Sequence, residues 1–329
     1  MSIGLYIVLA PLYLKSVRKL QEKRFVFVKI LAIIIPENGA KVSKIKCFQF
    51  AQQTLTMYIL YNRLITALNE KKPDSTEFYI AKMMIWNLWE LPRMSISDVA
   101  KMCAVSKSTI SKFVRDIGFE DYLDFKLEAV RQGKKEIYNS NGKCNITDYI
   151  RGHGIWEYEK ILSEDIRSVL FGIEEDQLKR LAVDLHEYKH LAAFGISYSE
   201  SAAINLQHKM HYYHKFLYTT MNDRQQENYI ESADEETLIF IFSNSGKYIT
   251  EYQNREGRPP KYSFDKTKAK IVLVTSNEQM LVDKRVDECV LFRYADCVQN
   301  HPILYQVFIE RLLYSYEELY GTSEGMNTK

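Results

Sequence analysis

Residues 94–119 read MSISDVAKMCAVSKSTISKFVRDIGF. Ser95-x-x-Asp98 has the spacing of a capping box, in which each side chain satisfies the other residue's backbone N–H, and it predicts a helix starting there. Ile96, Val99, Ala100 and Cys103 follow at i, i+3, i+4 and i+7, which makes one buried stripe. Ala104-Val105-Ser106 reads as a turn, with Val105 as its apolar plug and Ser106 as the N-cap of a second helix. In that helix Ile110, Phe113, Val114 and Ile117 repeat the spacing, and Gly118 supplies the stop. Ser108, Ser111, Lys112 and Arg115 fall opposite this stripe, so the outer face carries hydroxyls and cations but no carboxylate. Hydroxyls at a helix N-terminus suit phosphate oxygens, and Lys and Arg suit phosphates or guanine edges. A solvated helical hairpin is the plain alternative. The two phased stripes, the short turn and the carboxylate-free face together point to a DNA-binding helix-turn-helix. The candidate DNA-contacting residues are Ser106, Lys107, Ser108, Thr109, Ser111, Lys112 and Arg115.

Upstream of this stretch, helical spacing begins at Met57 with Leu60, Leu64, Ala67 and Leu68. Asp74-x-x-Glu77 predicts a second capping box, and Ala81, Met84, Ile85 and Leu88 form one apolar face ended by Leu91-Pro92. Residues 57–132 therefore read as a helical domain. Gly133, Asn139, Ser140, Asn141, Gly142, Gly152 and Gly154 mark residues 133–154 as a linker. Beyond it the rhythm changes. Helical stretches cover about 155–188. Short apolar runs follow at 191–194, 215–220, 238–242, 270–275 and 289–292, several of them separated by helical patterns. An amphipathic helix closes residues 302–320, and 321–329 form a tail. Apolar strands alternating with helices predict a parallel sheet flanked by helices, so the fold class is α plus α/β, with 155–320 as the α/β domain.

Composition fits two domains: 329 residues, 46% hydrophobic. The net charge is only +2, so any DNA-binding surface must be local. Residues 1–56 hold nine Lys/Arg against two Asp/Glu, which leaves −5 on the rest. Their apolar runs, Ile3–Leu14 and Phe25–Ile35, are 12 and 11 residues long, short of the roughly 20 a spanning helix needs. An interfacial anchor, an N-terminal arm and a stretch upstream of a native start at Met57 are the three readings, and the last is preferred because domain patterning begins there. Five scattered cysteines without a CxxC pair predict reduced thiols in a cytoplasmic protein.

Two loops follow predicted strands and lead into helices: Phe194-Gly195-Ile196-Ser197-Tyr198-Ser199 and Phe242-Ser243-Asn244-Ser245-Gly246-Lys247. Such loops expose backbone N–H groups and serine hydroxyls that suit an anion, although serine and glycine also cap helices for purely structural reasons. His208, His211 and His214 spread too widely on a helix for a metal site and carry no intervening carboxylate, so a solvated histidine face and no metal is expected. Glu200 follows Ser199 and could act as a base, but it reads first as a first-turn carboxylate facing the helix dipole. No catalytic arrangement and no cofactor motif is evident.

Residues 57–131 resemble the N-terminal domain of the RpiR family of bacterial transcription regulators, on SISDVA at 95–100, AVSKSTI at 104–110 and GFEDYLDFK at 118–126. Ala104 stands where the family usually has glycine. Residues 155–320 resemble a sugar isomerase (SIS) domain, the usual partner of that head. Gly195-x-Ser197-x-Ser199 parallels the family's GxGxS, Ser243-x-Ser245-Gly246-x-Tyr248 parallels SxSGxT, and Thr275-Ser276 follows the next strand. The resemblance implies a phosphosugar held by Gly195, Ser199, Ser243, Ser245 and Gly246. Ser197, Tyr248 and residues 252–269 depart from the pattern, and Gly257 and Pro259-Pro260 argue against a continuous helix there. The expectation is a regulator that binds a double-stranded operator as a homodimer or homotetramer under a phosphosugar effector. The alternatives are a phosphosugar isomerase with a helical appendage, or a regulator whose SIS domain is only a dimerisation scaffold.

Overall fold

The structure, a computed structural model, describes residues 59–133, 144–252 and 259–321. The expectations for residues 1–56 and for the tail beyond 321 lie outside these residues. The chain opens with α1 (Ile59–Glu70) and α2 (Thr76–Trp86), then α3 (Ile96–Met102), α4 (Lys107–Asp116) and α5 (Tyr122–Gly133). The capping box at the start of α3 is present on both sides: Asp98 N–H donates to the Ser95 hydroxyl and Ser95 N–H to the Asp98 carboxylate, at 3.3 and 2.8 Å. Ser106 caps α4 by accepting from Thr109 N–H at 3.1 Å. One cap falls a residue later than expected: Ser75, not Asp74, accepts from Phe78 N–H and starts α2. The second helix also ends at Trp86, five residues short of Leu91-Pro92, which form a separate 3-10 turn.

These helices close on one core. Val99, Ala100, Cys103, Ile110, Phe113 and Val114 from α3, α4 and the turn between them meet Leu60, Leu64, Ile80, Met84, Phe125 and Ala129. Burial pushes the Cys103 thiol up to about 11, so it packs as a small apolar group. Phe119 meets Phe125 edge-on with ring centres 5.6 Å apart, anchoring the turn that ends α4.

The second half of the stretch read as a linker forms α6 (Ile146–His153), whose Tyr149 packs with Tyr158 and Val298 of the following domain. After α7 (Ile155–Gly172) and α8 (Glu175–Glu187) come β1 (His190–Phe194), α9 (Glu200–His211), β2 (Leu217–Tyr218), α10 (Asp223–Ser232), β3 (Thr237–Phe242), α11 (Lys247–Thr250), β4 (Lys270–Thr275), β5 (Glu288–Leu291) and α12 (His301–Tyr320). The five strands form one parallel sheet in the order β2-β1-β3-β4-β5. Every residue of β3 is buried, as a parallel strand covered on both faces requires. Alternation divides the strand side chains between two cores. Leu191, Phe240 and Val272 face α7, α8, α9 and α12, while Ala192, Ile239 and Ile271 face α10 and α11. No helix among the described residues is long and apolar enough to cross a membrane.

Candidate nucleic-acid interface and effector loops

The site on the head is built by α4. Its inward residues Ile110, Phe113 and Val114 are fully buried or nearly so, which fixes the helix's rotation about its axis. Lys107, Ser108, Lys112 and Arg115 are consequently exposed, as is Ser106; Thr109 and Ser111 are half-buried. The Ser106 hydroxyl lies 2.7 Å from that of Ser108 and 2.8 Å from that of Thr109. Three hydroxyls thus gather at the positive end of a ten-residue helix, with the cations one and two turns further on. Such an end can seat a phosphate, while Lys112 and Arg115 reach what lies alongside. Ala104 occupies the left-handed region (φ 51°), so it takes the backbone of the glycine it stands for.

The site on the second domain follows from strand order. β1 leads to β2 on one side and β3 to β4 on the other, so the loops after β1 and β3 diverge and leave a crevice between them. Those are the two loops singled out in the sequence, 195–199 and 243–248. Gly195 is required because a Cβ there would come within 2.8 Å of the Ser199 backbone and Cβ. Gly246 has φ +72°, and a Cβ on it would meet the Met280 side chain at 2.4 Å. Ser243 and Ser245 cap their own short helix, accepting from Tyr248 N–H at 3.3 Å and Lys247 N–H at 3.4 Å. Ser199 is buried against the Tyr305 hydroxyl, whose burial raises its pKa strongly while Ser199 acts in the opposite direction. The five expected ligand residues therefore flank one crevice, although two of their hydroxyls cap the loop and a third is turned inward.

Asn277 and Tyr294 carried no sequence signal, because their contacts with the 243–248 loop span long sequence separations. Asn277 Nδ2 donates to the Ser245 carbonyl at 2.9 Å, and Asn244 Nδ2 donates to the Tyr294 hydroxyl at 2.8 Å. The Thr275 and Ser276 hydroxyls both donate to the Asn244 carbonyl. Tyr248, whose bulk threatened the loop, points into the core beneath it. It is 2% exposed, its ring lies 3.8 Å from Lys261 Nζ, and its hydroxyl donates to Gln226 Oε1 at 2.6 Å. The helix α11 ends at Thr250, and Glu251 pairs with Pro260 in an antiparallel bridge.

Among the described residues, one group of three potential metal ligands comes together: His190, Asp234 and Glu236, all exposed. Asp234 already accepts from the Thr237 hydroxyl, and Glu236 pairs with Lys189, so this group reads as ordinary surface. His208 and His211 lie on α9, and His214 lies beyond its end at φ +57°. Cys103 and Cys289 are free thiols.

The chain is 22% identical over 198 residues to an uncharacterized HTH-type transcriptional regulator in the aarA 3' region of Providencia stuartii, covering 58% of this chain and 67% of that one. It is 24% identical over 179 residues to the HTH-type transcriptional regulator HexR of Pseudomonas aeruginosa, covering 53% and 61%. Among solved structures, the Vibrio vulnificus NanR protein complexed with ManNAc-6P is 16% identical, with a TM-score of 0.41 over 82% of this chain and 96% of that one. Residues 60–135 match the helix-turn-helix domain of the rpiR family. The head that presents α4 is thus an rpiR-family helix-turn-helix domain carried by this chain.

Proposed function

We propose that this chain is a DNA-binding transcription regulator whose α4 enters the major groove, and whose α/β domain takes a sugar phosphate as effector between the 195–199 and 243–248 loops. The observation that carries the reading is the outer face of α4: three clustered hydroxyls at its start and exposed Lys112 and Arg115 beyond, with the opposite face locked in the core. Its place in an rpiR-family domain and the names of its relatives support it. The effector reading is supported by the loops' position at the crevice where strand order reverses, and by their resemblance to the phosphosugar loops of SIS domains. A two-fold dimer would present two α4 helices to half-sites one or more helical turns apart on a pseudo-palindromic operator.

The test is fluorescence anisotropy on DNA from upstream of the chain's own gene, titrated with salt. Affinity should fall as salt rises, since phosphate contacts release counterions. Lys112→Ala combined with Arg115→Ala should weaken binding at least tenfold, at about 1 kcal/mol or more per lost contact. Unchanged affinity in the double variant would remove α4 from the interface.

A further inference from the structure

The 195–199 loop does not end at the crevice. Its one exposed serine, Ser197, donates its hydroxyl hydrogen to Asn62 Oδ1 on α1 of the head, at 3.2 Å. Ser197 holds φ +56°, the left-handed conformation that favours glycine, and this turns its side chain to the head. The neighbouring contacts continue the seam. Asn222 Nδ2 donates to Glu70 at 3.4 Å, and Arg224 donates to the Gly118 carbonyl at 3.4 Å, directly behind the recognition helix. Arg63 stacks over Phe119 in the same turn, close to Asp223. Two buried side-chain atoms here have no hydrogen-bond partner: Asn62 Nδ2 and Glu200 Oε1.

The seam is tied to both effector loops by one buried side chain. Gln226, on the second turn of α10, donates to the Gly195 carbonyl at 3.2 Å and to the Thr220 carbonyl at 2.6 Å, and accepts from the Tyr248 hydroxyl. Gln226 is 1% exposed, so each of these bonds is costly to leave unmade. Asn222 and Arg224, which hold the head, are the N-cap and a first-turn residue of the same helix.

A serine hydroxyl has a single proton, and an ionised phosphate oxygen can only accept it. We propose that Ser197 gives that proton either to Asn62 of the head or to an anion seated in the 195–199 loop, so that an anionic effector and the docked head exclude each other. This rests on the effector reading above for the anion, and on the seam alone for the dock. By reciprocity, the factor by which a bound anion weakens the dock is the factor by which the docked head weakens the anion. The bonds of the seam are few, polar and partly exposed, so a ligand of modest differential affinity is enough to open it.

The experiment uses the full chain, with Asn62→Ala and Arg224→Ala as separate variants. Amide hydrogen exchange without any ligand tests the dock: both variants should speed exchange over α1 and residues 118–119 several-fold, and unchanged rates would overturn it. Titration with inorganic phosphate and with fructose 6-phosphate, read by thermal shift, tests the exclusion. Asn62→Ala frees the Ser197 proton and should tighten either anion about fivefold, the worth of one ordinary hydrogen bond. Equal affinity in variant and wild type would overturn the exclusion. If neither anion binds wild type or variant, the effector reading fails and the exclusion with it, while the exchange data still decide the dock.

Discussion

Glu200 shows how a single residue is decided by its surroundings. As the first residue of α9 it faces a helix N-terminus, which favours a carboxylate. Burial wins, with Glu70 adding to it, and the carboxyl is raised from 4.5 to about 7. The sign of the consequence follows directly. Between pH 4.5 and 7 the folded chain keeps a proton that the unfolded chain releases, so stability declines as pH rises through that window and is level above it. Glu200→Gln removes the charge and with it the decline. Its unfolding free energy from urea titration should match wild type near pH 4.5 and exceed it at pH 8 by about 1 kcal/mol, a figure discounted for the group's partial exposure. A constant offset at both pH values would mean that Glu200 does not carry the effect. Ser197 and Tyr248 tell a related story. Both depart from the family pattern, and neither obstructs the crevice: one turns out to the head, the other into the core. A one-dimensional pattern reports the size of a side chain and not its direction.

At the scale of elements, the helix-turn-helix was legible almost residue by residue, because its caps, stripes and turn are all short-range. Ser95, Ser106 and Gly118 do what their spacing implied. The slip from Asp74 to Ser75 at α2 is a choice between two adjacent good caps, decided by which backbone is extended where the buried face of α2 meets the core. The turn itself retains strain: Ala104 at φ 51° pays a steric cost that glycine avoids, partly offset by glycine's greater freedom when unfolded. Ala104→Gly should stabilise the head by about 0.5–1 kcal/mol, seen as a higher denaturation midpoint, and a lower midpoint would refute the strain. Among its described residues, the stretch 252–269 holds a 3-10 turn at Ser263–Asp265 and no α-helix. The pairing of Glu251 with Pro260 had no sequence signal, since an isolated bridge is set by packing and not by local pattern.

At the scale of the whole molecule, the head core and the two sheet cores share no residue, and the seam between head and sheet is polar. Two cooperative units joined by a weak interface should unfold separately. Scanning calorimetry should resolve two transitions. A sugar phosphate that binds should raise the sheet domain's transition, since it binds only that folded unit, and a single transition would show the seam to be far stronger than its bonds imply. The sequence by itself determined the two-part organisation, the rotation of the recognition helix and the identity of the two serine loops, because each rests on periodicity or on caps within a few residues. Only the tertiary structure decided the strand order that brings those loops to one crevice, the Gln226 tie between them and the meeting of Ser197 with Asn62. These depend on packing between segments far apart in the chain, and the energy that places them is shared by residues whose local sequence is indifferent to the outcome.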